Sequence, residues 1–271
     1  MKLETGLDIA LFGNIPNGSG LSSSASLEVV TGYMLKDLYG FDVTNVDLAL
    51  IGQQAEHEFC GVNCGIMDQF AVAMGKKDHA LLLNTKTLDY EYIPITLCGV
   101  KLIIANSNKK HKLGESKYNE RREECETALE EISQAIGIHA LCDLDEKTWN
   151  LYQVTVKDDD RKRRVKHAVT ENARTKQAAA ALKNGELKTF GELMKASHQS
   201  LSEDYEVTGD EMDALAEAAW QQDGVLGSRM TGGGFGGSTI SLVEENFVDE
   251  FIQETGRIYT EKTGLSEDFY V

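Results

Sequence analysis

Prolines, cysteine pairs and long apolar runs are scarce in this sequence of 271 residues. Because there are only two prolines and no low-complexity segment, we expect a globular chain without a flexible linker. Five cysteines that form no CxxC pair indicate thiols rather than disulfides or a zinc site. No apolar run is long enough to span a membrane, and the N-terminus lacks the basic flank and apolar stretch of a secretory signal peptide. We therefore expect a cytoplasmic protein with no membrane partner.

Basic residues are also in short supply. The chain has 27 lysines and arginines against 44 aspartates and glutamates, which gives a formal net charge of −17. Such a chain repels phosphate backbones, so we expect no nucleic-acid partner. The one dense basic run, Arg161–Arg164, directly follows Asp158–Asp160. That arrangement is typical of a solvated helix face whose charges pair with each other.

Hydrophobic periodicity predicts strands mixed with blocks of helices, which indicates an α+β protein of two layers. The expected elements are a strand over 7–11, a helix over 23–39, a helix that opens with a capping box at 44–47, a hairpin over 80–93, a strand over 100–105, helices over 115–136, 158–184, 187–205 and 209–222, two strands joined by a glycine turn over 226–243, a last helix, and a C-terminal strand over 269–271. The segment Pro94–Gly99 is the candidate boundary between two domains, 1–97 and 98–271.

A glycine- and serine-rich loop, Pro16–Ser26, lies between the first predicted strand and the first predicted helix. Glycines let the backbone approach a ligand, and the N–H groups at a helix start attract anions. The loop is neither a Walker A motif nor a dinucleotide fingerprint. A flexible connection with an ordinary serine cap is the alternative, but four serines within Ser22–Ser26 favour phosphate oxygens or Mg²⁺ as ligands.

A second glycine-rich segment, Gly232–Gly237, formally contains GxGxxG. Because a predicted strand follows it rather than a helix, the dinucleotide interpretation fails. A tight turn between strands is the simple alternative. Five glycines in six residues exceed what a turn requires, so we expect this backbone to pack closely on another loop or on a ligand.

Two acidic residues are candidates for chemistry. Asp68 lies in an apolar neighbourhood shortly after Gly65, where it is either a general base or a helix cap. Glu56 lies on an otherwise apolar helix, where a glutamate is usually exposed. Taken singly, each has an ordinary structural explanation.

The order of the motifs resembles the galactokinase family of the GHMP small-molecule kinases. The resemblance covers essentially the whole chain, and its most specific motif is CGIMDQF at 64–70. The motifs that carry it are GLSSSAS, QQAEHEF, CGIMDQF, NSNKKH, KYNERREE and MTGGGFGG. The resemblance implies a two-lobed α+β fold, with an incomplete N-terminal lobe like domain 2 of ribosomal protein S5 over 1–97 and a ferredoxin-like C-terminal lobe over 98–271.

The resemblance also implies a reaction and its residues. The reaction is ATP-dependent phosphorylation of the C1 hydroxyl of galactose with Mg²⁺, by a chain we expect to be a monomer. Asp68 would take the sugar's proton, Gly65 and Tyr118 would contact the sugar, and the Gly232–Gly237 turn would lie beside the phosphate loop. Ser24 and Glu56 would hold Mg²⁺. The ATP phosphates would be wrapped by Gly18, Ser19, Gly20, Leu21, Ser22, Ser23 and Ser24.

One family signature, of the form GRxNLIGEHTDYN, has no counterpart here. Seventeen residues precede Gly18, and the first arginine is Arg121. We therefore expect an N-terminally truncated chain with little or no activity of its own. Two alternatives stay open, which are a non-catalytic nucleotide- or sugar-binding sensor and a GHMP kinase with a different small alcohol as substrate.

Overall fold

The computed structural model describes residues 6–109 and 114–271, with the backbone alone for 114–116. Up to residue 94, its regular elements are helices and one hairpin. The elements are α1 (Ser23–Tyr39), α2 (Asn45–Ala55), a π-helical turn (Glu56–Cys60), α3 (Met67–Met74), β1 (His79–Leu83) and β2 (Tyr90–Pro94). β1 and β2 pair antiparallel as predicted.

Local signals place the ends of these helices. Thr44 Oγ1 accepts a hydrogen bond from the backbone N–H of Asp47 at 3.1 Å, and Asp47 Oδ2 accepts one from the backbone N–H of Thr44 at 2.7 Å. The predicted capping box therefore opens α2. α1 ends at Gly40, whose left-handed φ of 64° lets its N–H bond the carbonyl of Lys36.

The strand predicted over Leu7–Leu11 is wrong. The described chain from residue 6 to α1 has no regular secondary structure. A strand needs a neighbour for its N–H and C=O groups, and no described residue pairs with this segment. Its apolar side chains are exposed, with Leu11 at 60% and Phe12 at 100% of their full accessible surface.

The second half is built on a four-stranded antiparallel sheet in the order β4-β5-β3-β6. Its elements are β3 (Val100–Asn106), α4 (Gly114–Ser133), α5 (Glu146–Tyr152), α6 (Asp159–Lys183), α7 (Leu187–Ser200), α8 (Asp210–Trp220), β4 (Val225–Thr231), β5 (Ser238–Glu244), α9 (Val248–Thr263) and β6 (Asp268–Tyr270). The short helix α5 is an addition to the sequence prediction. The helix predicted over 187–205 is α-helical only to Ser200 and continues as a π-helical turn over Leu201–Tyr205.

Helices cover this sheet on two sides. α8 and α9 bury Leu215, Phe251 and Tyr259 against β3, with each of these side chains at most 1% exposed. α7 packs against β4 at Gly191 and Gly227, where a β-carbon on either glycine would clash with the backbone of the other segment. The α+β expectation is confirmed, but the two-layer part of it is wrong, because α7 packs on one face of the sheet and α8 and α9 on the other. No helix among residues 6–109 and 114–271 is long and apolar enough to cross a membrane.

The predicted domain boundary, between residues 97 and 98, falls in the segment that joins β2 to β3. That segment also separates the two-stranded sheet from the four-stranded sheet. The division of the chain at this point stays a prediction.

Candidate functional site

The loop before α1 turns sharply three times. Gly18, Gly20 and Ser22 have φ values of 70°, 71° and 58°, all in the left-handed region. This conformation is easy for glycine but uncommon for serine. Ser19 is 1% exposed, and its hydroxyl donates to the carbonyl of Pro16 at 2.7 Å, which fixes the loop from inside.

The N-terminus of α1 is open to an anion. Ser22 occupies the capping position, but its side chain makes no capping hydrogen bond, and the first turn holds no acidic residue. The first N–H groups of a helix have no partner within the helix, and they carry a partial positive charge. This loop therefore has the backbone chemistry of a phosphate-binding site.

The Gly232–Gly237 segment packs directly on this loop. A β-carbon on Gly232 would lie 2.8 Å from the carbonyl oxygen of Gly20, and one on Gly237 would lie 3.1 Å from that of Ser19. Ser238 also donates its hydroxyl to the Ser19 carbonyl at 2.7 Å in a buried position. The predicted adjacency of the two glycine-rich loops is confirmed, and it explains the excess of glycine.

Asp68 reaches the same place from another helix. It lies in the first turn of α3, half-buried, and its carboxyl accepts a hydrogen bond from the Ser22 side chain. Burial raises the pKa of Asp68 above its usual value, the Ser22 bond lowers it, and the charge of Glu56 raises it further. The Asp68 carboxyl therefore lies beside Ser22, at the start of α1.

Glu56 is buried, contrary to the ordinary expectation for a glutamate on a helix. It begins the π-helical turn after α2 and is 8% exposed. Its carboxyl is hydrogen-bonded to that of Glu28 on α1. Burial, followed by this bond, raises the pKa of Glu28 to about 7.

Sequence reasoning missed Glu28. The signal was present, because Glu28 follows Ser24 by four residues and residues at that spacing share one helix face. Ser24 is exposed in the first turn of α1, and Glu28 lies one turn further along. No group of three or more His, Cys, Asp or Glu residues in the described chain is arranged to hold a metal ion by itself.

The other half of the molecule contributes Tyr118. The backbone N–H of Gly65 donates to the Tyr118 hydroxyl at 3.4 Å, and a β-carbon on Gly233 would lie 3.5 Å from the Tyr118 ring. Tyr118 therefore lies between the loop that precedes α3 and the second glycine-rich loop. Burial raises the pKa of its phenol. Gly65 and Tyr118 also line a cavity of about 380 Å³ that continues along α4 past Arg122.

Three candidate cations for this site are already engaged in ion pairs. Lys109 pairs with Glu211, Arg121 with Glu124, and Arg122 with Glu126. Each of these ion pairs removes a candidate counter-charge for Asp68. Among the residues that the structure describes, the charge that acts on the Asp68 carboxyl is another carboxylate, Glu56.

Comparisons with known proteins agree with this geometry. Residues 1–76 match the GHMP kinases N terminal domain, and residues 178–257 match the GHMP kinases C terminal family. The chain is 51% identical to a galactokinase of Streptococcus suis over 99% of its own length and 69% of that protein. It is 51% identical to a galactokinase of Fusobacterium nucleatum over 100% of its length and 70% of that protein. It thus spans about 70% of the length of these relatives.

The solved structures give the same answer. A crystal structure of Lactococcus lactis galactokinase in complex with galactose superposes with a TM-score of 0.94 at 46% identity, over 96% of this chain and 67% of that one. A mevalonate kinase from L. major superposes with a TM-score of 0.58 at 18% identity, which shows the fold alone. The α+β GHMP kinase fold is thereby confirmed. By its sequence, its fold and the arrangement of its loops, this chain belongs to the galactokinase family of the GHMP kinases.

Proposed function

We propose that the cleft beside the two glycine-rich loops binds ATP with Mg²⁺ and galactose, and that Asp68 acts there as the general base. The observation that carries this proposal is the hydrogen bond between Asp68 and Ser22. It joins the candidate base to the start of α1, where a transferred phosphoryl group would be held. Phosphoryl transfer depends on positioning and charge neutralisation more than on covalent help from the protein, so this contact is the critical one.

The phosphates would bind the loop of Gly18, Ser19, Gly20, Leu21, Ser22, Ser23 and Ser24. Support comes from its three left-handed residues, from the uncapped start of α1 and from the glycine-rich segment that packs behind it. A loop whose backbone is already fixed by hydrogen bonds at Ser19 loses little entropy when it binds an anion.

Ser24 and Glu56 would hold Mg²⁺. Their hydroxyl and carboxylate oxygens are the hard donors that Mg²⁺ prefers, completed by phosphate oxygens and water. The surroundings fit a cation, because the carboxyls of Glu28, Glu56 and Asp68 act on one another, and Gln69 Oε1 is buried without a hydrogen-bond donor in the described chain. When bound, Mg²⁺ would neutralise charge on the phosphates. Since no protein-only cage is present in the described residues, we expect metal to bind together with nucleotide.

Galactose would bind against Gly65 and Tyr118, with its C1 hydroxyl toward Asp68. The relative from Lactococcus lactis was solved with galactose, which supports the same ligand here. Asp68 would accept the proton as the sugar oxygen bonds to the γ-phosphorus and the bond to ADP breaks. Burial raises the pKa of Asp68, which makes its carboxylate a better base.

A second candidate function is nucleotide or sugar binding without transfer. It is favoured by one observation, the engagement of Lys109, Arg121 and Arg122 with carboxylates of their own. Calorimetry with ATP and Mg²⁺ and with galactose, together with an assay of galactose-dependent ADP release, separates the two functions. Binding with turnover supports the kinase, binding of ATP or galactose without turnover supports the sensor, and binding of neither ligand contradicts both.

A further inference from the structure

Glu28 lies where the three helices of the candidate site meet. It is on α1, one turn after Ser24 and on the same face. Its Oε2 accepts a hydrogen bond from Gln69 Nε2 on α3 at 3.1 Å, and its carboxyl is hydrogen-bonded to Glu56 at the end of α2. One side chain thus contacts both other helices that carry site residues.

These contacts, together with one at Ser22, join α1 to α3 at two places. Ser22, at the start of α1, bonds Asp68, and the next residue on α3 is Gln69. Gln69 donates a hydrogen bond to Glu28, which is on α1. A change in the position of Glu28 would therefore move both the base and the carboxylate of Glu56.

There is little space for Glu28 to move. A β-carbon on Gly52 of α2 would lie 3.0 Å from both Glu28 Oε2 and Gln69 Cγ. Gln69 is 2% exposed. The backbone of α2 therefore packs closely against Glu28 and Gln69. Gly52 allows this approach because it has no side chain.

We propose that Glu28 is a positioning residue, which holds Glu56 and the start of α3 in the arrangement that Mg²⁺ and the phosphates require. This inference rests on the proposed function, in which Ser24 and Glu56 bind the metal. Helix packing alone does not account for Glu28, because a second carboxyl beside the buried Glu56 repels it when both are charged, and an apolar side chain would pack the same helices. A side chain that hydrogen-bonds both Gln69 and Glu56 is explained instead by the need to hold Glu56 in place for a cation. Groups that orient metal ligands in this way have large effects on metal affinity.

The test uses the full chain, with Mn²⁺ as the metal probe and a non-hydrolysable ATP analogue. Mn²⁺ binding is followed by the loss of its free paramagnetic signal, and analogue binding without metal is measured in a chelator. We expect E28A to weaken Mn²⁺ binding about 10-fold or more, with metal-free analogue affinity changed less than about 2-fold. E28Q keeps a donor for Glu56 and an acceptor for Gln69, so it should stay within about 3-fold of the wild type.

V29A is the matched control, because Val29 is the next residue on α1 and is buried at 7% exposure. It should lower the melting temperature without changing Mn²⁺ affinity. G52A crowds Glu28 without removing any polar group, and it should weaken Mn²⁺ binding in the same direction as E28A. If E28A does not give a folded chain, G52A decides the matter by the same measurement.

Three results would overturn the proposal. They are wild-type Mn²⁺ affinity in E28A, an equal loss of metal-free analogue affinity in E28A, or a loss of Mn²⁺ affinity in V29A as large as in E28A. If the wild-type chain binds the analogue in neither condition, the proposed function fails and this inference fails with it. Binding by the wild type together with unchanged binding by E28A and G52A rejects the role of Glu28 alone.

Discussion

The Ser22 hydroxyl donates a hydrogen bond to the Asp68 carboxyl, and this contact joins the turn before α1 to the first turn of α3. The two residues are 46 positions apart in sequence (68 minus 22). Ser22 holds a left-handed φ of 58°, which is uncommon for a serine. Strained residues of this kind cluster at functional sites, and here the strain places the hydroxyl between the phosphate loop and the candidate base.

Replacement of Asp68 tests the base. We expect D68N to lower kcat about 100-fold or more, because the amide cannot accept the sugar's proton. The KM for ATP should change little, since the proposed phosphate contacts come from the loop at 18–24. D249N, an exposed change in the first turn of α9, is the control. Steady-state kinetics of galactose-dependent ADP release make the measurement, and an unchanged kcat in D68N would remove Asp68 from the mechanism.

Replacement of Gly232 tests the contact between the two loops. G232A places a β-carbon 2.8 Å from the Gly20 carbonyl, so we expect weaker ATP binding by calorimetry. G185A is the matched control, because Gly185 has a similar left-handed φ of 71° but no atom near its missing β-carbon. Both variants should lose about 1–2 kcal/mol of stability from the left-handed backbone. Equal ATP affinity in the two variants would contradict the proposed role of the contact.

The pH dependence of stability tests the surroundings of His167. This side chain is buried, stacks on Tyr205 and contacts the Ser200 hydroxyl at 3.0 Å. Burial lowers the pKa of His167 to about 4 from 6.5, with Asp204 opposing the shift and nearby arginines adding to it. The unfolded chain therefore binds the extra proton between those pH values. The contribution of the neutral His167 to the free energy of unfolding is complete above pH 6.5 and is lost as the pH falls toward 4.

The corresponding experiment compares H167Q with H139Q. His139 is exposed, so its replacement should leave the pH profile of the melting temperature unchanged. Between about pH 6.5 and 4, the free energy of unfolding should fall less in H167Q than in the wild type, by up to about 3 kcal/mol. Parallel profiles for H167Q and the wild type would show that His167 is protonated in the folded chain.

The engagement of the nearby cations predicts low activity for this chain. Lys109, Arg121 and Arg122 each pair with a carboxylate, so none of these three is free to neutralise the transferring phosphoryl group. The loss of such a charge costs orders of magnitude in rate. We expect galactose-dependent ADP release well below about 1 per second, the low end of ordinary kinase rates. A faster rate would show that one of these three cations changes partner, and R121Q, R122Q and K109Q would identify it.

Exposed apolar side chains before α1 predict a surface that binds hydrophobic dyes. Leu11 and Phe12 are 60% and 100% exposed. The double variant L11S/F12S should reduce the fluorescence of a bound naphthalene-sulfonate dye and slow aggregation, with no fall in melting temperature. I103A is the contrasting control, because Ile103 is fully buried and its truncation should lower the melting temperature. A lower melting temperature in L11S/F12S would show that these side chains pack in solution.

Much of the fold follows from local patterns. The capping box at Thr44 and Asp47 marked the start of α2, and the alternating residues on either side of the 84–89 turn marked the β1–β2 hairpin. Helical periodicity located α4, α6 and α8 to within about three residues at each end. The strand predicted over Leu7–Leu11 is wrong. Alternating apolar residues indicate only that one face of a segment can be buried, whereas a strand also needs a hydrogen-bonding partner.

The sequence by itself determined the chemistry that is available here. Backbone freedom at Gly18 and Gly20, hydroxyls at the start of α1 and a carboxylate at Asp68 are all properties of single residues and their neighbours. Only the tertiary structure decided which groups meet, because helix packing brings Glu28 onto Glu56 and Gln69. Burial then changes these groups, since water that would solvate a carboxylate is excluded and the pKa values of Glu28 and Asp68 rise. Contact and dielectric environment are properties of three-dimensional packing, and a linear pattern does not contain them.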